Sequence, residues 1–125
     1  MDLAVETAAM GDAAVLHVAG EVDVFTAPQL REALIGAIED GSRHVVVNLQ
    51  EVDFLDSTGL GVLVAGLKRV REHGGDLDLV CTRDHILKIL DITGLVKVLK
   101  VHDSLEAAIA SAGPPADAGP PADAG

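Results

Sequence analysis

Apolar positions along this chain change their spacing several times, and each change marks an element. Leu3 and Val5 alternate with polar or small neighbours, the mark of an edge strand. Ala13 to Ala19 carries Val15, Leu16 and Val18 and predicts a second strand that stops at Gly20, with Gly11-Asp12 as the turn of a hairpin. Leu30, Leu34, Ala37 and Ile38 then follow helical spacing. Thr26 stands as the cap, Gln29 three residues later completes a capping box, Pro28 sits in the first turn, and Gly41 closes the helix. Val45-Val46-Val47 is a continuous β-branched run, expected of a strand covered on both faces. A second helix is predicted from about Asp56-Ser57 to His73, with Leu60, Leu63, Val64, Leu67 and Val70 inward and Gly74-Gly75 as its stop. Leu77 to Cys81 reads as a strand. Arg83 to Thr93 reads as a helix with Ile86, Ile89 and Leu90 inward and Gly94 at its end. Val98 to Val101 is the last strand. Asp103-Ser104-Leu105-Glu106 opens a final helix with Leu105, Ala108, Ile109 and Ala112 on one side. The predicted order is ββαβαβαβα. Strand–helix alternation of this kind requires a mostly parallel sheet with helical crossovers, and the opening hairpin makes the sheet mixed.

Only residues 113–125 break the pattern. They read GPPADAGPPADAG, a unit repeated twice with a closing Gly, and hold four of the five prolines. Such a segment has nothing to bury and is expected to be disordered. A polyproline ligand is the other reading, but no aromatic or basic flank accompanies it. The folded domain is therefore expected to span 1–112.

Composition narrows the function. Hydrophobic residues make up 49% of the 125, enough for one core, and the only aromatics are Phe25 and Phe54. Nine Lys and Arg face 20 Asp and Glu, a formal charge of −11. That sign disfavours nonspecific binding to nucleic acid or to an anionic membrane, and the scarcity of aromatics removes base stacking. No apolar run reaches the length of a membrane span, and the start lacks the basic and apolar regions of a signal peptide. Cys81 is the single cysteine, so an internal disulfide and a multi-thiol zinc site are both ruled out; its neighbours Leu79 and Val80 mark it as a small buried hydrophobe. A soluble protein of the cytoplasm is expected.

Catalytic patterns are missing. His17, His44, His73, His85 and His102 show no metal-pair spacing, and there is neither a GxSxG elbow nor a Gly-Lys-Ser/Thr phosphate loop. Gly59-Leu60-Gly61 opens a helix, but Val64 stands where a dinucleotide fingerprint needs a small residue. No enzyme, metal or cofactor is expected.

The most unusual stretch is Phe54-Leu55-Asp56-Ser57-Thr58-Gly59-Leu60-Gly61-Val62, an acid and two hydroxyls at a helix start followed by glycines. Asp56 or Ser57 can cap the helix. Capping does not require Gly59, Gly61 and Gly66, each of which costs a helix interior about 0.8–1.0 kcal/mol against Ala. Close packing on the sheet explains such glycines, and so does a surface that another backbone must approach. With Leu60, Leu63, Val64 and Leu67 inward, the outward ladder is Thr58, Val62, Ala65 and Arg69 with Gly66 beside it, a small and partly apolar face expected to dock a partner. A phosphate on Ser57 would add about −1.5 to −2 charges at a helix N-terminus, which tolerates an anion, while obstructing anything docked there.

This sequence resembles the anti-anti-sigma factors (anti-sigma factor antagonists), single-domain members of the STAS family. The resemblance covers about 1–110 and rests on Gly20-Glu21-Val22-Asp23, Val47-Asn48-Leu49, Asp56-Ser57-Thr58-Gly59-Leu60-Gly61-Val62 and Thr93-Gly94-Leu95. Leu67-Lys68-Arg69-Val70-Arg71 looks most like actinobacterial members. The resemblance implies a monomer whose unphosphorylated form binds an anti-sigma factor, commonly a serine kinase, and so frees a sigma factor for transcription. Phosphorylation by that kinase releases the antagonist, and a PP2C-type phosphatase restores it. The phosphoacceptor maps to Ser57, with Thr58 as the alternative. Asp56 either caps the helix or orients the Ser57 hydroxyl, and the two roles are compatible. Asp23 either contributes to partner binding, as the family implies, or is a turn acid before Thr26. The candidate partner-binding set is thus Asp23, Asp56, Ser57, Thr58, Gly59, Gly61, Val62, Ala65, Gly66 and Arg69.

Two rival readings keep the fold. A ligand- or nucleotide-sensing STAS module would need basic residues near the motif, whereas Lys68, Arg69 and Arg71 lie turns away. A STAS scaffold within a larger stress-signalling complex would carry a similar motif. An inert tail predicts that deleting 113–125 leaves both melting temperature and switching unchanged; a clear shift in either would make the tail functional.

Overall fold

The computed structural model describes residues 2–112; the tail expectation lies outside them. Strands β1 (Leu3–Met10), β2 (Ala13–Val22), β3 (His44–Leu55), β4 (Asp76–Val80) and β5 (Lys100–His102) form one sheet in the order β1-β2-β3-β4-β5. β1 pairs antiparallel with β2 through the Gly11-Asp12 turn, and all other pairs are parallel. Helices α1 (Ala27–Glu39), α2 (Ser57–Glu72), α3 (Asp84–Ile92) and α4 (Leu105–Ala112) supply the crossovers and the C-terminal element. The expected ββαβαβαβα order is present.

The Val45-Val46-Val47 run does what its composition requires. Val45 and Val47 join the main core with α1, α2 and α3, whereas Val46 points to the other face, where Ala13, Val15, Val80 and Ala108 of α4 meet it. Sheet alternation therefore divides one apolar run between two cores. The main core is aliphatic, with Leu16, Leu30, Leu34, Ile38, Leu63 and Leu79 fully buried.

Several boundaries differ from the periodicity. β2 does not stop at Gly20. Gly20 and Glu21 pair with Val52 and Phe54 across a register irregularity, and the strand continues to Val22. Gly20 has φ 114° and a Cβ there would collide with the Asp2 carbonyl, so glycine lets two strands pass where another residue would force a break. The Thr26–Gln29 capping box does not form. The Thr26 hydroxyl donates to Glu21 O at 2.8 Å and accepts from Asp23 N at 2.9 Å, while Gln29 Nε2 donates to Leu3 O at 3.0 Å. Both side chains tie α1 to the sheet edge instead of closing the helix on itself. Gly94, at φ 78°, turns the chain out of α3 into an unforeseen 3-10 turn at Leu95–Lys97, which delays the last strand to Lys100. Ile89, expected inward, is half-buried. In α4, Ala108 is buried and Leu105 and Ile109 are half-buried, so this short helix covers its face thinly. Cys81 is 2% exposed, and burial pushes its thiol pKa up, leaving an unreactive core residue.

The α4 face carries one buried charge. Asp78 on β4 is fully buried, with His102 Nε2 of β5 at 2.8 Å and His44 Nε2 of β3 at 3.7 Å from Oδ2. Burial raises the Asp78 pKa, but hydrogen bonding to His44 and His102, together with the charges of His44 and Lys100, outweighs it and holds the carboxyl below its ordinary value. Stability from such a group is complete above the ordinary carboxylate value and is lost as pH falls through the lower folded value. Asp78→Asn is expected to cost about 1–3 kcal/mol at neutral pH and to flatten the loss of stability below about pH 4. Urea midpoints between neutral pH and about pH 3 would check this; parallel curves for variant and wild type would dismiss Asp78 as the source.

Candidate functional site

The site is built where β2 and β3 end side by side. Val22 pairs with Leu55, and Asp56 N then donates to Val22 O at 3.1 Å, so the two following loops leave the sheet from adjoining points. In the first loop the Asp23 carboxylate accepts from Phe25 N at 2.9 Å and Thr26 N at 3.0 Å, a local Asx turn. The Thr26 N–H bond is the largest influence on this carboxyl; with Phe25 it outweighs the opposing effect of burial and holds the pKa below the ordinary value. The turn-acid reading of Asp23 is thus present in the geometry.

In the second loop Asp56 is the N-cap of α2. Its backbone is extended (φ −102°, ψ −174°), and Oδ1 accepts from Gly59 N at 3.1 Å. Ser57 and Thr58 follow as the first two helical residues, both exposed. They occupy the first turn of a 16-residue helix, where a negative charge is favoured.

The three glycines of α2 have separate causes. A Cβ on Gly59 would come within 2.5 Å of Leu55 Cδ1 and 2.7 Å of Val22 Cγ1, so this glycine lets the helix start press onto the paired strand ends. A Cβ on Gly66 would lie 3.1 Å from Leu34 Cδ1, so this one sets how closely α2 approaches α1. A Cβ on Gly61 would meet nothing within 4 Å. Among the three, only Gly61 has no packing reason.

This corrects the expected docking face. Val62 and Gly66 are buried against α1, and Gly59 is buried against the strand ends; Val64, expected inward, is half-buried. The exposed residues of α2 are Ser57, Thr58, Gly61, Ala65, Lys68, Arg69, Arg71 and Glu72. The projection misplaced Val62 and Gly66 because α2 packs on two neighbours, the sheet and α1, and two contacts bury a wider stripe than one. Arg69 donates to Glu39 of α1 at 2.8 Å, an exposed pair of small energetic value.

Three further residues belong here that helical and strand spacing did not assign. Val24 is 59% exposed, Phe25 87% and Phe54 47%. Both aromatics of the chain therefore stand outside the core, flanking the two loops that Val22 and Asp56 tie together. The available signal was their place in the chain, each beside a loop acid, Asp23 or Asp56, and outside any periodic run. Val24 and Phe25 lie on the loop that Val22 joins to the α2 start, and exposed apolar residues of this kind suit protein contact. Phe54, next to core-facing Leu55 in β3, takes the opposite side of the strand. No group of His, Cys, Asp or Glu among the described residues could hold a metal ion, and no helix there is long and apolar enough to cross a membrane.

The STAS domain family model matches residues 4–108. The chain belongs to the STAS domain family. The anti-sigma-B factor antagonist of Staphylococcus aureus (strain NCTC 8325 / PS 47) is 37% identical over 106 residues, covering 85% of this chain and 98% of that protein. A crystal structure of an anti-sigma factor antagonist from Mycobacterium paratuberculosis superposes with a TM-score of 0.83 at 26% identity, covering 89% of this chain and 94% of the other. The phosphorylated form of the Bacillus cell fate determinant SpoIIAA shares the fold at a TM-score of 0.67 and 22% identity, over 88% of this chain and 98% of that one. This STAS domain thus matches, over nearly their whole length, relatives named as anti-sigma factor antagonists.

The glycine distinctions are testable by denaturation. Gly61→Ala is expected to stabilise the STAS domain by about 0.8–1 kcal/mol, the helix-propensity difference. Gly59→Ala is expected to destabilise it by about 1–3 kcal/mol through overpacking. A loss of stability in Gly61→Ala would reveal an internal role for that position.

Proposed function

We propose that this STAS domain is an anti-sigma factor antagonist that works by partner switching. The unphosphorylated form binds an anti-sigma factor of the serine kinase type, which then releases its sigma factor. The kinase phosphorylates Ser57 and so ends the complex, and a PP2C-type phosphatase regenerates the binding form. Thr58 is the alternative acceptor. The observation that carries this reading is exposed Ser57 at the first position of α2, at a helix start tied through Asp56 N to Val22 O, in a chain 37% identical to an anti-sigma-B factor antagonist.

The chemistry asks little of this chain. The Ser57 oxygen bonds to the γ-phosphorus of ATP held by the kinase, the β–γ bridge breaks, ADP leaves, and the hydroxyl proton passes to a base on the kinase. Asp56 fixes the helix start through Gly59 N and thereby presents the hydroxyl. The product dianion is tolerated by the fold, because first-turn amides and the helix dipole favour it. A partner seated over Phe25, Ser57 and Gly61 would instead bury that dianion against its own surface, at a desolvation cost that no new contact offsets. Binding is lost while the fold persists.

Ser57→Ala is expected to melt like wild type and hold the kinase partner without release by ATP. Ser57→Asp should bind more weakly, and stoichiometrically phosphorylated wild type more weakly still. Phe25→Ala should reduce binding by about tenfold or more, as for a buried aromatic anchor, at unchanged melting temperature. Calorimetric titration with the partner purified from the same organism provides the readout. Full-strength binding by the phosphorylated protein would refute the switch.

A further inference from the structure

Beyond the helix start, α1 and α2 diverge into a groove of about 260 Å³. Its floor is apolar: Leu34 and Ile35 of α1, and Val62, Ala65 and Gly66 of α2. Its rim is cationic. Arg31, Lys68 and Arg69 line it, three of the nine Lys and Arg in a chain of formal charge −11, against one lining acid, Glu72. Arg69 is paired with Glu39, but Arg31 and Lys68, both exposed, make no ion pair among the described residues. An apolar trough edged by unpaired cations is unusual on so acidic a protein, and its charge selects what can lie in it. The groove also continues the exposed stripe of α2: Ala65 is eight residues from Ser57, roughly 12 Å along the helix axis.

We propose that this groove receives an acidic amphipathic helix of the partner, its apolar side on Ala65 and Ile35 and its carboxylates facing Arg31 and Lys68. The inference rests on the partner-switching reading above and adds the partner's chemistry to it. Helix-in-groove docking uses this combination of apolar floor and charged rim. The acidic sign also gives the switch its leverage. A negatively charged segment lying along α2 is held by cations at the groove and repelled by a dianion at Ser57. With water excluded by the contact, that repulsion is poorly screened. Phosphorylation would then reverse the local charge the partner reads, in addition to obstructing the surface.

The probe is the anti-sigma factor from the same organism that Ser57→Ala retains and Ser57→Asp does not, purified and titrated against variants of the full chain. The double variant Arg31→Glu/Lys68→Glu is expected to melt like wild type, because neither side chain is paired. It should bind this partner about tenfold or more weakly and lose the salt sensitivity that wild type shows as NaCl rises from about 50 to 500 mM. Reversing acidic residues of the partner helix to lysine should restore binding to the double variant and not to wild type. If no partner distinguishes Ser57→Ala from Ser57→Asp, the partner-switching reading fails and the groove proposal with it. If a partner does distinguish them and the double variant binds it at wild-type strength, the groove proposal alone is overturned. Deleting 113–125, which contains Asp117 and Asp123, is expected to leave affinity unchanged; a tighter complex after deletion would make the chain's own acidic tail the occupant and overturn the proposal.

Discussion

The junction of Val22, Leu55, Asp56 and Gly59 positions everything that follows. Val22 and Leu55 pair at the strand ends, Asp56 N bonds Val22 O, and Gly59 brings the first turn of α2 down onto both side chains. This is a constraint of closeness: with a Cβ at position 59 the buried Leu55 and Val22 side chains or the helix itself would have to shift. The same contact brings two loops together, and through them the Asp23 turn and the Ser57 helix start. Secondary-structure hydrogen bonds alone would leave these loops independent, and a protein surface assembled from both would not have fixed geometry.

α2 serves two demands that compete. As a structural helix it buries Leu60, Leu63, Leu67 and Val70 in the core. As a surface it begins with small hydroxyls and an open glycine, residues that add little to helix stability. The division follows position along the helix. Strong helix formers and basic residues occupy its last turns, where Arg69 and Arg71 also complement the dipole. The first turns carry the small exposed residues Ser57, Thr58 and Gly61. Proteins commonly concede stability where a site must stay accessible, and Gly61, exposed and without a packing role, is the position in α2 that fits such a concession.

Element types and order were legible because periodicity reports which side of an element is buried. The alternation, the triple valine and the helical stripes are direct consequences of a sheet covered on both faces. The Asp56–Thr58 helix start was legible too, since capping chemistry is local. The Thr26–Gln29 box looked equally local, yet both side chains turned to the strands, where they donate to the Glu21 and Leu3 carbonyls. Local propensity yields when a neighbouring strand offers a bond the helix end can do without.

The sequence by itself determined the layered α/β architecture, the aliphatic core, the family and the hydroxyl-bearing helix start, because each depends on spacing within one segment. Only the tertiary structure decided which glycine of α2 has a packing role and which does not, that Val62 and Gly66 face α1, that both phenylalanines stand in solvent, and that Asp78 is buried between two histidines. Each of these depends on atoms contributed by a second or third element, and the distance between elements is set by how their side chains fit together, which no single segment encodes.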